Sequence, residues 1–271
     1  MDLELNGKRA IVTGGSRGIG LATARALTAE GVDVALVARS RGPLEDAATK
    51  LAASSGRKVV PIVADVRDDA AVRAAVSRTV EILGGIDILV NNASKKQGNS
   101  SDGKDYPRER LDETTDEGFW EDIDTKVGGY LRFARAVAPY LKAQGWGRII
   151  NISGNGARHT VSITRTIRNV SIVALTKNLA DELGRFGINV SVVHPAGTKT
   201  EAMSEKLARQ AAEAGTTVEE YEPRYANNAI GRLVRPDELA AVIAFLASPR
   251  SVAITGDVIA AGGGPLGAVY Y

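Results

Sequence analysis

The chain has no cysteine among its 271 residues, which removes disulfides, thiolate nucleophiles and cysteine-based metal sites and agrees with a reducing compartment. Histidine occurs twice, so a dedicated metal centre would need several carboxylates at a spacing the sequence does not offer. Net charge is nearly absent: 34 Lys and Arg against 32 Asp and Glu leave +2, too little to steer the protein toward nucleic acid or an anionic membrane. Any basic patch must be local. The opening MDLELNGKRAIVTGG sets acidic residues ahead of a short apolar run, and reads as neither signal peptide nor membrane span. Together these absences predict a cytoplasmic protein with no metal and no nucleic-acid or membrane partner.

What is present is a composition of 44% hydrophobic and 24% charged residues, enough for one large core, so residues 1–271 are expected to form a single domain. Apolar runs of strand length at 9–12, 33–38, 59–63, 87–90, 148–152, 189–193 and 257–260 alternate with amphipathic stretches at 19–30, 44–54, 68–83, 119–144, 163–185 and 236–247. That alternation is the pattern of stacked βαβ units. It predicts a Rossmann-like three-layer α/β sandwich: a seven-stranded parallel sheet, buried on both faces, with helices on either side. Two segments break the rhythm, 94–112 and 201–230; long segments on a compact α/β core commonly form substrate walls or lids.

Directly after the first strand and opening the first helix stands Thr13-Gly14-Gly15-Ser16-Arg17-Gly18-Ile19-Gly20. Glycines there permit a tight turn and let the backbone approach a diphosphate, which sits on the free N–H groups of the helix N-terminus. Strand, glycine triad and helix in that order are specific where a lone triad is not. The spacing resembles the Thr-Gly-x-x-x-Gly-x-Gly of the short-chain dehydrogenase/reductase family, and the likeness continues along the chain. Asp65-Val66 is similar to the pair that holds the adenine in that family, and Asn91-Asn92-Ala93 resembles its Asn-Asn-Ala-Gly signature, with Ser94 for the glycine. Pro195-Ala196-Gly197-Thr198-Lys199-Thr200 resembles the segment that lies over the nicotinamide. Gly231-Arg232-Leu233, Pro236-Asp237-Glu238, Thr255-Gly256-Asp257-Val258 and Gly262-Gly263-Gly264 resemble its closing elements.

The resemblance implies a bound dinucleotide held by Gly14, Ser16, Arg17, Gly18, Ile19, Gly20, Asp65, Val66, Asn92, Ala93, Asn169, Thr198 and Thr200. Which dinucleotide is a question of charge at the end of the second strand. An acid there would accept the ribose hydroxyls and repel a 2′-phosphate; an arginine pairs with that phosphate. The chain offers Arg39 and Ser40, with Arg17 in the glycine turn, so NADP(H) is favoured over NAD(H). The resemblance also implies a homodimer or homotetramer.

The departures lie at the reacting centre. Aligned on Leu175-Thr176-Lys177 and on Ile188-Asn189-Val190, the family's Tyr-x-x-x-Lys positions fall on Arg165 and Asn169. A slip in register restores neither, since no tyrosine lies between Tyr140 and Tyr221 and no lysine between Lys142 and Lys177. The family's catalytic serine falls on Gly154; Ser153 is adjacent and is expected to point to the other side of the strand. Lys126 stands where the family has an asparagine. Arginine titrates too high for proton exchange but suits a carboxylate, phosphate or oxyanion. Residues i and i+4 share a helix face, so Arg165 and Asn169 should point together. The exchange of Asn and Lys between 126 and 169 admits two readings: Lys126 supplies the ammonium from the opposite helix while Asn169 keeps the ribose hydroxyls, or Lys126 points to solvent. His159 is a proton donor or a surface-loop residue; His194, before Pro195, reads as structural. Tyr221, Tyr225, Tyr270 and Tyr271 offer phenols from elsewhere or pack.

Three functions follow: an NADP(H)-dependent oxidoreductase with a rebuilt proton path, acting on a small carbonyl or alcohol with a substrate carboxylate on Arg165 as one version; a lyase, isomerase or decarboxylase on the same scaffold; or a catalytically silent cofactor-binding protein. The retained cofactor residues favour an enzyme, and the resemblance alone does not decide among chemistries.

Overall fold

The computed structural model describes residues 1–94, 111–160 and 162–267. Most of the 94–112 excursion, and Tyr270 and Tyr271, lie outside the described residues. Strand β1 (Arg9–Thr13) leads into α1 (Gly18–Ala29), then β2 (Asp33–Ala38), α2 (Arg41–Ser55), β3 (Val59–Val63), α3 (Asp69–Leu83) and β4 (Ile88–Asn91). The second half runs α4 (Asp116–Ile123), α5 (Gly129–Gln144), β5 (Gly147–Ile152), α6 (Ile163–Leu183), β6 (Ile188–Pro195), α7 (Glu201–Glu213), α8 (Val218–Tyr221), α9 (Pro236–Ala247) and β7 (Val258–Ala261). All seven strands pair in parallel in the order β3-β2-β1-β4-β5-β6-β7.

The two cores follow from the alternation of strand residues. Ala10, Val12, Leu36, Val90 and Ile150 turn toward α1, α2 and α9, packing on Leu27, Leu44 and Ile243. Ile11, Val37, Leu89 and Ile149 turn the other way, toward α3, α5 and α6, and meet Val76, Phe133, Val137 and Leu183. Burying side chains of this size contributes about 1.5–3 kcal/mol each, which is why both sheet faces are covered, as a parallel sheet requires. Helix ends are marked locally: the Asp68 carboxylate accepts the Ala70 and Ala71 N–H groups at the start of α3, and Gly84, at φ 79°, ends it.

One expectation changes. The stretch 119–144 is not one helix: α4 and α5 are joined by a turn of π-helix, Asp124–Gly128. The wider turn inserts an extra residue, and glycines permit its close seating, since a Cβ on Gly129 would come within 2.9 Å of Val66. The 201–230 excursion is largely helical. Thr200 caps α7 by accepting the Met203 N–H, and a Thr217–Glu220 capping box opens α8. No helix among the described residues is long and apolar enough to cross a membrane.

Strand order reverses about β1, which is flanked by β2 and β4; the crevice outside the carboxyl ends of β1 and β4 is where such sheets bind ligands. One wall of the region beyond it is braced by a buried amide relay. Asn91 Nδ2 donates to Asn151 Oδ1 at 2.9 Å, Asn151 Nδ2 to Thr176 Oγ1 at 2.9 Å, and Thr176 Oγ1 to the Ile172 carbonyl at 2.8 Å, joining β4, β5 and α6. Substituting Asn151→Leu keeps the bulk and strands its partners, so unfolding free energy should fall by about 1–3 kcal/mol. The expected readout is a lower urea midpoint at constant m-value; an unmoved midpoint would show that the relay carries no stability.

Candidate active site

The glycine turn is built to exclude side chains. A Cβ on Gly20 would lie 2.3 Å from the Gly14 carbonyl oxygen and 2.6 Å from Asn92 Nδ2, and Gly14 and Gly18 adopt φ of 65° and 56°. Thr13 Oγ1 accepts the N–H groups of Asn92 and Ala93 at 2.9 and 3.0 Å, while Asn92 Nδ2 donates to the carbonyls of Thr13 and Gly14. The ends of β1 and β4 are thereby pinned together. Ser16 and Ile19 are half-buried and Arg17, at the N-cap of α1, is exposed. No acidic residue occupies the first turn of α1. Instead the Gly18 N–H donates to Glu201 Oε2 at 3.0 Å, with the Thr200 side chain alongside.

At the ends of β2 and β3, Arg39 and Ser40 are exposed. Asp65 is half-buried and paired with Arg67 at 2.8 Å. Arg67's hydrogen bonds hold the Asp65 carboxyl below its ordinary range, with a weaker pull from Arg39. Val66 is buried against Gly129. Thr198 Oγ1 donates to the Ala196 carbonyl, and Thr200 Oγ1 is taken up in capping α7.

On the other side of the crevice, Lys126 is buried, at 4% exposure, which overturns the solvent-facing alternative. Its Nζ donates to the Ser153 carbonyl at 2.9 Å and to Asn169 Oδ1 at 3.1 Å, and Ser153 Oγ donates to the Asn169 carbonyl at 3.0 Å. A closed ring thus links the π turn, the end of β5 and α6. Gly154 allows it to close beside Asn169, whose Nδ2 would lie 3.2 Å from a Cβ there. Ser153 is turned onto the backbone of α6. Arg165, half-buried, stands one turn before Asn169, in a first turn capped by Ser162, which accepts the Arg165 N–H.

Burial pushes the Lys126 amine well below the ordinary lysine value; Arg168 pushes the same way and Asp122 opposes. Arg168 and Asp122 form an ion pair of their own, Arg168 Nη1 to Asp122 Oδ1, with both residues buried. Tyr130 lies next along α5, but its hydroxyl donates to the Ile152 carbonyl at 2.9 Å and burial pushes the phenol up, so it is no phenolate. His194 is buried with neither ring nitrogen meeting a protein partner, and burial, with lesser repulsion from Arg158 and Lys126, holds it down to about 4. His159 is half-buried, its Nε2 also without a protein partner. Tyr225 donates its hydroxyl to Gln210 within the 201–230 segment, and Tyr221 stacks under Arg224.

Sequence reasoning missed Glu201, Asp122, Arg168 and the orphaned nitrogens of His194. The signals available were weak: Asp122 lies four residues before Lys126, Arg168 adjoins Asn169, and Glu201 follows Thr200. Each reads equally well as a solvated helix face.

A family model described as enoyl-(acyl carrier protein) reductase matches residues 14–265. The short-chain reductase protein NovJ of Streptomyces niveus is 35% identical over 259 residues, covering 94% of this chain and 92% of its own. Oxidoreductase UcpA of Escherichia coli K12 is 34% identical over 260 residues, 93% and 92% of the two chains. Among solved structures, L-sorbose reductase from Gluconobacter frateurii, complexed with NADPH and L-sorbose, superposes with a TM-score of 0.90 at 29% identity, covering 99% of this chain and all of its own. Actinorhodin polyketide ketoreductase with NADPH gives 0.82 at 30% identity, with 94% and 96% covered.

The buried amine has a consequence for stability. Its value in the fold lies below the 10.5 of the unfolded chain, so between the two the unfolded state binds more protons and stability rises with pH. Lys126→Met lacks this term. The variant should therefore gain stability over the parent at neutral pH, and the gap should narrow as pH climbs toward 10.5. Paired urea unfolding at several pH values measures it; a gap independent of pH would mean that the amine stays charged in the fold.

Proposed function

The chain belongs to the short-chain dehydrogenase/reductase family, and from that footing we propose that it is an NADP(H)-dependent oxidoreductase of a small carbonyl or the corresponding alcohol, with Lys126 exchanging the proton. The observation that carries this reading is the Lys126 amine, withheld from water and set on Asn169 Oδ1 at the position where the family's own lysine would stand. In this reading lysine and asparagine have traded helices relative to the family's pattern.

The switch-point residues fit a dinucleotide on shape and charge. Gly20 leaves no room for a side chain, the Gly18 N–H already receives a carboxylate, and Arg39 and Arg17 are exposed cations with no acid at the end of β2. In this reading Gly14, Ser16, Arg17, Gly18, Ile19 and Gly20 enclose the diphosphate. Arg39 and Ser40 take the 2′-phosphate, Asp65 and Val66 the adenine, and Asn92, Ala93, Thr198, Thr200 and Asn169 the nicotinamide half. When bound, the dinucleotide supplies or removes the hydride.

Residues of the chain then handle the proton and the charge. As a free base the Lys126 amine accepts the proton of an alcohol, and as an ammonium it returns one to a carbonyl oxygen; burial brings its titration nearer neutrality than ordinary lysine, which efficient transfer requires. Arg165 stays charged and orients an oxyanion or a substrate carboxylate. Asn169 gives Oδ1 to Lys126 and keeps Nδ2 for the ribose hydroxyls, while Ser153 braces α6 and lends its carbonyl to the amine. The 201–230 segment serves as one wall of the substrate site within a single domain.

Fluorescence titration tests the coenzyme half: NADPH should bind more tightly than NADH, and Arg39→Ala should weaken NADPH by roughly tenfold or more, the value of a charge-assisted bond, while sparing NADH. Equal effects on both would remove the 2′-phosphate from Arg39.

For the reacting half, NADPH oxidation is followed with a panel of ketones, aldehydes and 2-oxo acids. Lys126→Met should cut turnover by roughly 100-fold or more at unchanged NADPH affinity. Retained turnover in that variant, with loss in His159→Gln, would hand the role to His159. Product formed with no net change in the dinucleotide would favour a lyase or isomerase instead.

A further inference from the structure

Two charged side chains beside Lys126 take no part in the steps above. Asp122 and Lys126 are four residues apart, with Asp122 in α4 and Lys126 in the π turn that follows. Asp and Lys at that spacing on a helix ordinarily reach one another. Here they do not. The Asp122 carboxylate is taken by Arg168, which crosses from α6, and the Lys126 amine is left to two neutral oxygens, the Ser153 carbonyl and Asn169 Oδ1. All three charged residues are buried, at 9%, 4% and 4% exposure for Asp122, Arg168 and Lys126, and Arg168 Nε finds no protein partner.

Stability gives no reason for this arrangement. A buried ion pair recovers little beyond its own desolvation, and apolar residues of similar bulk generally serve a fold as well or better. Position gives one. Paired with Asp122, the Lys126 amine would be held as a permanent ammonium by a carboxylate and drawn from Asn169. Arg168 prevents this by outcompeting it, since a guanidinium offers a fixed fork of donors and stays charged at any pH the protein meets.

We infer that Arg168 and Asp122 are positioning residues: Arg168 captures the carboxylate that would otherwise claim Lys126, and so leaves the amine on Asn169, free to gain and lose a proton. The inference rests on the reading of Lys126 as the proton-exchanging group. Other ionisable groups around the amine stay quiet. Tyr130, one turn on and within the field of Arg168, is kept protonated, and His194, approaching from β6 with Arg158 beyond it, is neutral near pH 7 and above.

The full chain labelled with ¹³Cε-lysine, titrated by NMR, tests this without a substrate; the Lys126 signal is the one lost in Lys126→Met. In Arg168→Met the freed carboxylate captures the ammonium, and the titration midpoint should rise by about 1 pH unit or more. Asp122→Asn leaves Arg168 unopposed and should lower it. The double variant removes both claimants and should bring the midpoint back toward the parent. Opposite shifts from the two halves of one ion pair are something loosened packing cannot produce. Shifts of the same sign, or none, would overturn the proposal, and Asp122→Asn with the double variant decides it even where Arg168→Met does not fold. Turnover of Lys126→Met is a separate readout: were it unchanged while the NMR shifts appeared, the proton-exchange reading would fail and the positioning would stand.

Discussion

A lysine amine held between a backbone carbonyl and a carboxamide oxygen, away from water, is the constraint around which the second half of this crevice is organised. To bring it there, α4 runs on into a π turn that closes on Gly128 and passes to Gly129, and β5 is followed by Ser153, whose side chain turns to α6 while its carbonyl faces the amine. Hiding an amine carries a large desolvation cost, met here by shedding the proton more readily and by filling the hydrogen bonds that remain. The burial that makes Lys126 expensive to the fold is also what holds its amine well below the ordinary lysine value.

The two halves of the site are built on different physics. On the glycine-turn side the groups presented are backbone: the Gly18 N–H at the start of α1, an Asn92 N–H held by Thr13 Oγ1, and the Thr13 and Gly14 carbonyls held by Asn92 Nδ2. They depend on the absence of side chains, so their geometry is rigid and their chemistry fixed. On the α6 side the donors are side chains, Lys126 Nζ and Ser153 Oγ, and residues can trade places across a helix–helix contact if the contact itself is preserved. Here that contact is the bond from Lys126 Nζ to Asn169 Oδ1, between the π turn and α6.

This difference explains what could be read from the sequence. Strand, glycine triad and helix are local and successive, so Thr13 to Gly20 and the sheet of seven parallel strands are visible in linear order, as is Asn92 at the end of its strand. Element edges moved, and the stretch 119–144 divided at the π turn. Lys126 was half legible: its displacement from the expected asparagine was evident, but a lysine in a helical pattern carries no mark of burial, and a π turn alters the facing of every residue after it. Asp122 and Arg168 lie 46 residues apart and meet only through the packing of α4 on α6, which no periodicity encodes. Glu201 and the bare nitrogens of His194 were invisible for the same reason.

The Glu201 carboxylate on the Gly18 amide has a kinetic side. An anion arriving at that amide finds a tenant already attached to the protein, with a local concentration set by the short tether through Thr200 rather than by diffusion. An anion taking that amide would have to displace the carboxylate of the first residue of α7. One hydrogen bond thereby couples the turn that opens α1 to the start of α7, 183 residues on in the chain.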